Sequence, residues 1–284
     1  MITSQTGGLG LLGHPAGHSK SPEMMNAALQ MMDAPYVYLA FDVTPAVLKQ
    51  AVEGLKALKF KGWNVTIPHK TSIMEYLDGV AESAREIGAV NTVVYQDGKW
   101  TGHNTDGTGY LRSLKEETSL DLSKQRVVIL GAGGAARAVG YALATAGVPK
   151  VTIANRTLDK ADRLAEHLSR WTSTEAIAIS DCQDEVREAD LVVNTTSVGM
   201  FPRINETPIP ADWLHHGQIV SDLVYNPRET ALLQAAKLKG AQIHCGLGML
   251  VYQAATALEL WLDKPVPIQL MKQVLEASLS GNKK

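Results

Sequence analysis

Apolar and polar positions along the first hundred residues alternate between two patterns. Apolar runs typical of strands are separated by segments in which apolar residues recur with helical spacing. The predicted strands are residues 8–13, 36–43, 62–67, 92–95 and 99–102, and the predicted helices are residues 21–32, 45–58 and 82–87. The N-terminal third of the chain therefore predicts a complete small α/β domain.

The middle of the chain predicts a second α/β domain. A four-residue apolar strand, 127–130, precedes a glycine-rich turn and an alanine-rich helix that ends at Gly147. Helical segments then alternate with strand-like segments at residues 150–154, 174–179, 190–194, 218–222 and 241–244. Repeated strand and helix alternation of this kind predicts a doubly wound parallel sheet of the Rossmann type.

The glycine-rich turn, residues 131–136, fits the pattern G-x-G-x-x-A between a strand and a helix. Gly131 permits the tight turn, Gly133 lets a pyrophosphate approach the backbone, and Ala136 allows close packing of the helix on the strand. The helix N-terminus then faces the phosphates. The turn predicts a dinucleotide site, and a glycine turn without a nucleotide is the alternative.

The end of the next strand indicates which dinucleotide is bound. NAD sites usually have an acidic residue there, whereas this chain has Asn155, Arg156 and Thr157. A guanidinium pairs with a 2′-phosphate, so the sequence favours NADP. The alternative is that Thr157 caps the helix at residues 158–169 and Arg156 is solvated, although capping does not exclude a phosphate contact.

Two helical segments, residues 248–262 and 268–280, close the chain. Because the nucleotide unit occupies the middle of the sequence, we expect these helices to return to the first domain. The predicted substrate and catalytic domain comprises residues 1–106 and 248–284, and the NADP domain comprises residues 107–247. The predicted class is α/β, with an N-terminal α/β substrate domain and a Rossmann-type domain.

Composition narrows the choice of partners. A net charge of −2 over 284 residues gives no broad basic surface for nucleic acid or anionic lipid. There is no apolar run long enough for a membrane span and no signal-like N-terminus, which favours a cytoplasmic protein. Cys182 and Cys245 lack the spacing of metal ligands, so we expect no metal site.

Nine segments, in this order along the chain, resemble the bacterial shikimate dehydrogenase family. They are residues 17–22, 64–70, 88–92, 102–107, 131–136, 155–157, 194–200, 222–227 and 246–250, the last followed by Gln253. The resemblance implies reversible, NADP-dependent oxidation of shikimate to 3-dehydroshikimate, a step of aromatic amino-acid biosynthesis. Lys70 and Asp106 match the family's catalytic pair.

The resemblance also implies the binding residues. The substrate positions are Ser19, Ser21, Asn64, Thr66, Lys70, Asn91, Asp106, Tyr225 and Gln253. The cofactor positions are Gly131, Ala132, Gly133, Gly134, Ala135, Asn155, Arg156, Thr157, Lys160, Leu223 and Gly246.

Residue chemistry agrees with oxidation of an alcohol. Lys70 follows a strand that Pro68 ends, and it could take the hydroxyl proton or, as an ammonium, stabilise a developing alkoxide. Asp106 would favour the charged lysine if the two were close. Neutral hydroxyls and amides suit a polyhydroxylated acid, although Ser21 before Pro22 could instead be a helix N-cap, and Gln253 could be a core amide.

Two other functions are compatible with the same motifs. One is a quinate or quinate/shikimate dehydrogenase that uses NAD, and the other is a non-catalytic regulator that senses NADP. Arg156 and Thr157 argue against the first, and the presence of both Lys70 and Asp106 argues against the second. The expected partner is a small molecule, and a homodimer is one alternative for the oligomeric state.

Overall fold

The computed structural model describes residues 2–280 and forms two compact units. One unit contains the chain up to Thr105 and from Val251 onward, and the other is Asp106–Leu250. The predicted division assigned Asp106 and residues 248–250 to the first unit, whereas the structure groups them with the second. Asp106 belongs there because it opens a helix of that unit. Residue 1 and residues 281–284, which the predicted limits include, lie outside the described residues.

A mixed six-stranded sheet forms the centre of the first unit. Its strands are β1 (Gly7–Gly13), β2 (Tyr36–Asp42), β3 (Gly62–Val65), β4 (Gly79–Val80), β5 (Thr92–Gln96) and β6 (Lys99–His103). Their order across the sheet is β2-β1-β3-β5-β6-β4. Strands β1, β2 and β3 are parallel, whereas β5 is antiparallel to both β3 and β6.

Five helices contribute to the first unit. They are α1 (Ser21–Met31), α2 (Leu48–Ala57), α3 (Glu82–Ile87), α10 (Ile268–Ser280) and the part of α9 (Gly246–Leu262) that follows Leu250. Helix α10 packs on α1. Trp261 of α9 is buried and donates from Nε1 to the Val93 carbonyl at 2.9 Å. The predicted return of the closing helices to the first unit is confirmed.

The second unit contains a fully parallel sheet. Its strands are β7 (Arg126–Leu130), β8 (Lys150–Asn155), β9 (Ser173–Ala178), β10 (Leu191–Asn194), β11 (Ile219–Asp222) and β12 (Gln242–Cys245). Their order is β12-β11-β10-β7-β8-β9, so the winding reverses between β7 and β10. Ligands of doubly wound sheets bind at the carboxyl ends of the strands beside such a reversal. The predicted Rossmann-type sheet is confirmed.

Helices cover both faces of this parallel sheet. They are α4 (Asp106–Glu117), α5 (Gly134–Thr145), α6 (Leu158–Leu168), α7 (Gln183–Glu188) and α8 (Ala231–Leu238). Val127 and Ile129 of β7 pack into the core beneath α4, α5 and α6, whereas Val128 and Leu130 pack into the opposite core, beneath α7 and α8. Burial on both faces explains why β7 is a continuous apolar run rather than an alternating one.

Strand β3 is shorter than the sequence predicts. The predicted strand reached Ile67, but β3 ends at Val65 and the Ile67 side chain is 74% exposed. Pairing with β5 ends there because the Val65 amide donates to the Asn91 carbonyl, one residue before β5 begins. The residues after Val65 therefore form a loop, and this loop carries Thr66 and Lys70 of the predicted site.

Gly62 and Gly54 provide a matched test of packing in the first unit. A Cβ at Gly62 would overlap Trp261 Nε1 and lie 2.5 Å from the Val93 carbonyl, whereas within the described chain nothing lies within 4 Å of a Cβ at Gly54 in α2. We expect Gly62→Ala to lower the free energy of unfolding by about 1–3 kcal/mol through overpacking. Gly54→Ala should raise it by about 0.5–1 kcal/mol, because alanine favours the helix.

Chemical denaturation of the two variants and the unsubstituted protein measures both effects. Equal changes in the two variants would contradict the packing of Trp261 on Gly62.

Candidate active site

A buried network of amides and hydroxyls lies where β3 ends and β5 begins. Asn64 is its first member: Nδ2 donates to the Asn91 carbonyl at 3.1 Å and to Thr92 Oγ1 at 3.0 Å. Asn64 Oδ1 accepts from the Tyr38 hydroxyl at 2.7 Å. Burial raises the pKa of Tyr38 well above its usual value, so this hydroxyl stays protonated and remains a donor.

Asn91 extends the network to the C-terminal part of the unit. Its Oδ1 accepts from the Thr105 amide at 2.8 Å, and its Nδ2 donates to Thr105 Oγ1 at 3.0 Å and to Gln253 Oε1 at 3.4 Å. Gln253 is partly exposed. Satisfied buried networks are rigid, which fixes the direction of these side chains.

Lys70 lies between β3 and β4, and its backbone is bonded to the residue that precedes Asn91 of this network. Its carbonyl accepts from the Val90 amide at 2.8 Å, and its side chain is partly buried. The preceding residue, His69, is buried and its Nε2 lies 2.6 Å from the Val43 carbonyl. These contacts hold the loop that carries Thr66 and Lys70 against the sheet.

Ser19 and Ser21 are both partly exposed at the start of α1. The predicted N-cap role of Ser21 is wrong, because Lys20 occupies the N-cap position and Ser21 is the first helical residue. Proline is tolerated at the second helical position as well as the first, so Pro22 did not fix the boundary. The Ser21 amide donates to Ser19 Oγ at 3.2 Å, which links the two serines.

The glycine-rich turn of the second unit has the geometry of an anion cradle. Gly131 has a φ of 111°, and a Cβ there would lie 2.6 Å from Thr195 Oγ1. Gly133 is the N-cap of α5 and Gly134 its first residue; both are exposed, and no other described atom lies within 4 Å of a Cβ at either. The free amides at this helix N-terminus are therefore open to a phosphate.

The predicted 2′-phosphate residues lie at the end of β8 and the start of α6. Asn155 Nδ2 donates to the Thr157 carbonyl at 2.9 Å. Thr157 occupies the N-cap of α6, but its hydroxyl makes no capping bond to the described helix, so the predicted side-chain cap is wrong. Arg156, Thr157 and Lys160 are exposed, which leaves two cations and a hydroxyl available to an anion.

A buried carboxylate organises the loop after β11. Asp222 accepts from Asn194 Nδ2 at 2.9 Å, from the Val224 amide at 3.0 Å and from Thr230 Oγ1 at 2.6 Å. Burial raises the pKa of Asp222 to about 6, although these three hydrogen bonds act to lower it. The carboxylate therefore ties β10, the loop after β11 and the start of α8 together.

Leu223 and Gly246 lie close together. The Leu223 amide donates to the Asn194 carbonyl at 3.0 Å, and a Cβ at Gly246 would overlap the Leu223 carbonyl. Glycine at 246 therefore permits a close backbone approach. Tyr225, two residues further along, is partly buried, and burial raises the pKa of its hydroxyl.

Asp106 is the first residue of α4 and is partly buried. The two predicted catalytic side chains thus belong to different units, Lys70 to the first and Asp106 to the second. Within residues 2–280, no three His, Cys, Asp or Glu side chains are grouped as a metal site. No helix in that range is long and apolar enough to cross a membrane.

Sequence reasoning missed several residues that hold the site. Thr92, Asn194 and Asp222 lay inside the segments that resemble the family, but the chain pattern did not show that they bond one another or their neighbours. The sequence pattern did not identify Tyr38 or Thr230. Tyr38 lies 26 residues from its partner Asn64, and Thr230 lies 8 residues from its partner Asp222.

The titration of Asp222 gives a test of this arrangement. Its ordinary pKa is 3.8 and its folded pKa about 6, so its contribution to stability is full below pH 3.8 and is lost as the pH rises through 6. A pKa difference of about 2 corresponds to about 3 kcal/mol. We therefore expect the unfolding free energy of Asp222→Asn, relative to the unsubstituted protein, to increase by up to about 3 kcal/mol between pH 4 and 7.

Asp212→Asn is the matched control in the same unit. Asp212 is exposed and its hydrogen bond to Lys239, 2.8 Å long, lowers its pKa, so its contribution is lost as the pH falls. The unfolding free energy of Asp212→Asn, relative to the unsubstituted protein, should therefore change with pH in the direction opposite to that of Asp222→Asn. Denaturation at several pH values measures both, and a flat difference for Asp222→Asn would contradict the raised pKa.

Comparison with known proteins identifies family segments over much of the chain. Residues 11–93 match the shikimate dehydrogenase substrate-binding domain. Residues 113–207 match the shikimate / quinate 5-dehydrogenase family, and residues 246–276 match the shikimate 5′-dehydrogenase C-terminal domain. The first match lies in the first unit and the second in the second unit, whereas the third begins in the second unit and continues into the first.

Individual relatives match over nearly the full length. A shikimate dehydrogenase (NADP(+)) from Moorella thermoacetica is 49% identical, over 99% of this chain and 96% of the relative. A crystal structure of a shikimate dehydrogenase in complex with NADP+ is 42% identical with a TM-score of 0.92, covering 98% of each chain. A shikimate 5-dehydrogenase from Listeria monocytogenes, in complex with shikimate and NAD, is 42% identical with a TM-score of 0.92, over 96% of this chain and 98% of the other. Identity at this level across both units shows that the chain belongs to the shikimate dehydrogenase family.

Proposed function

We propose that the protein is an NADP-dependent shikimate dehydrogenase, which interconverts shikimate and 3-dehydroshikimate in aromatic amino-acid biosynthesis. The observation that carries this proposal is the amide network of Asn64, Asn91 and Gln253 close to Lys70, in a chain 49% identical to an enzyme of that name. The network presents neutral polar groups, which suit a ligand with several hydroxyls.

Binding of the substrate rests on hydrogen bonds from rigid neutral partners. The proposed contacts come from Ser19, Ser21, Asn64, Thr66, Asn91, Tyr225 and Gln253. Each carries a hydroxyl or amide, and the amides of Asn64 and Asn91 also bond within the protein, which fixes their direction. An analogue that lacks one hydroxyl loses a bond to such a partner, which gives discrimination between substrates.

Lys70 and Asp106 are the proposed catalytic pair. As the alcohol becomes a carbonyl, Lys70 either takes the hydroxyl proton at Nζ or, as an ammonium, stabilises the developing alkoxide. Asp106 favours the charged state of the lysine when the two are close, and it also accepts a hydrogen bond from the substrate. When bound, NADP+ supplies the hydride acceptor.

The residues of the second unit fit NADP. When NADP is bound, the amides of Gly133, Gly134 and Ala135 would hold its pyrophosphate, with Gly131 and Ala132 forming the turn. Asn155, Arg156, Thr157 and Lys160 would hold the 2′-phosphate, whose negative charge the two exposed cations match. The backbone of Leu223 and Gly246 would contact the nicotinamide end.

The second candidate function is oxidation of quinate with NAD. The family description of residues 113–207 includes quinate, and the Listeria relative was crystallised with NAD. The exposed Arg156 and Lys160 favour NADP instead, because NAD has no 2′-phosphate for them to bind.

We also propose a cytoplasmic location. Both Cys182 and Cys245 are free, as is usual in a reducing compartment. The oligomeric state is a separate proposal, a homodimer, which sedimentation measures directly.

Initial rates at the nicotinamide absorbance band test the function. The four combinations of shikimate or quinate with NADP or NAD are compared on one preparation. We expect the highest kcat/KM for shikimate with NADP. A higher value for quinate with NAD would establish the second candidate, and cofactor binding without turnover of either acid would establish a non-catalytic regulator.

Arg156→Ala extends the same assay to cofactor choice. Loss of a charge-assisted bond of about 1.5–3 kcal/mol should raise KM for NADP roughly tenfold to a hundredfold and leave KM for NAD unchanged. Arg170→Ala is the matched control, since Arg170 is exposed and stacks on Trp171, 4.3 Å from the ring centroid.

The catalytic role of Lys70 predicts a change in kcat rather than in KM. Lys70→Ala should lower kcat by about 10²–10⁴-fold, the usual contribution of a proton-transfer group, with little change in KM for shikimate. Lys99→Ala, an exposed lysine at the start of β6, is the control and should leave both constants unchanged. A raised KM with normal kcat would make Lys70 a binding residue only.

A further inference from the structure

We propose that His244 is a positioning residue, which fixes the rotation of helix α4 about its axis and thereby the direction in which Asp106 projects. The proposal rests on the proposed catalytic role of Asp106. His244 is the third residue of β12 and is 1% exposed.

One face of α4 carries Asp106 together with the residues that anchor the helix. Asp106, Tyr110, Ser113 and Glu117 are separated by four, three and four positions. This spacing places them in one stripe along an α-helix. Whatever holds Tyr110 and Ser113 therefore also sets the angle at which Asp106 leaves the helix.

His244 contacts this stripe at several points. Its Nε2 lies 2.8 Å from Ser113 Oγ and 3.9 Å from Glu117 Oε2. Its ring meets the Tyr110 ring edge to face, with centroids 5.7 Å apart. On the other side, Nδ1 lies 2.8 Å from Ser221 Oγ on β11.

The imidazole thus joins the sheet to the helix through both ring nitrogens. Serine hydroxyls can donate or accept, so either tautomer of a neutral imidazole is satisfied by Ser113 and Ser221. His244, itself part of strand β12, is bonded to a neighbouring strand through Ser221 and to helix α4 through Ser113. This link is stiff, because both elements are rigid. Apolar packing alone would bury this face of α4 without fixing the direction in which Asp106 projects.

Close packing fixes the distance between α4 and α5, and the bonds of His244 add a constraint on the rotation of α4. A Cβ at Gly107 would lie 2.6 Å from the Ala138 carbonyl and 2.9 Å from Ala142 Cβ, so α4 and α5 are in near contact. Side chains reach roughly 6 Å from a helix axis, so a rotation of about 10° moves a carboxylate by about 1 Å. A displacement of about 1 Å can cost an enzyme as much as ~10²-fold in rate.

A double-mutant cycle between His244 and Asp106 tests the proposal in the full-length protein with NADP and shikimate. His244→Leu should lower kcat about tenfold to a hundredfold, with KM for NADP changed less than about twofold. In the Asp106→Ala background the same substitution should lower kcat no further, because His244 acts through Asp106.

Further variants separate positioning from stability. Ser113→Ala and Ser221→Ala should lower kcat in the same direction as His244→Leu, and they provide the readout if that variant does not fold. His244→Gln, which keeps a polar contact, should recover part of the lost kcat. Lys115→Ala, exposed on α4, is the matched control, and melting temperatures are measured for every variant.

The outcomes are distinguishable. Equal losses of kcat from His244→Leu in both backgrounds, or lower melting temperatures with normal kcat, would overturn the positioning role and leave the catalytic role of Asp106 intact. An unchanged kcat in Asp106→Ala would overturn the proposed catalytic pair, and with it this inference.

Discussion

The requirement that every buried polar group find a partner organises the carboxyl edge of the parallel sheet. Two adjacent residues of β11, Ser221 and Asp222, are fully buried and point to opposite faces. Ser221 bonds to His244 beneath α4, and Asp222 bonds to Asn194 and Thr230 beneath α8. An unpaired carboxylate there would be costly, so the loops can adopt few other positions.

In the first unit, the network around Asn64 and Asn91 is built from neutral groups. Asn64 and Asn91 use both the oxygen and the nitrogen of their amides within the protein. Such groups keep their direction at any moderate pH, since amides and hydroxyls do not titrate there. The shape of this network therefore does not depend on protonation, whereas the loops of the second unit depend on the ionisation of Asp222.

Local patterns in the sequence predicted most of the architecture and, with the family resemblance, the candidate residues. The glycine turn and the apolar run of β7 are signals within one short segment, and the structure has both. Boundaries were less certain: Ser21 and Thr157 looked like caps, but neither hydroxyl caps its helix. The role of His244 could not be predicted, because Ser113 lies 131 residues away and only the fold brings them together.

The three glycines of the glycine-rich turn have different surroundings. The fold requires glycine at 131, because its φ is positive and a Cβ there would overlap Thr195. Gly133 and Gly134 have free space around them, so the protein itself would accommodate a methyl group at either. The fold therefore constrains Gly131, whereas glycine at 133 and 134 leaves the N-terminus of α5 uncovered, a property that stability measurements alone would never reveal.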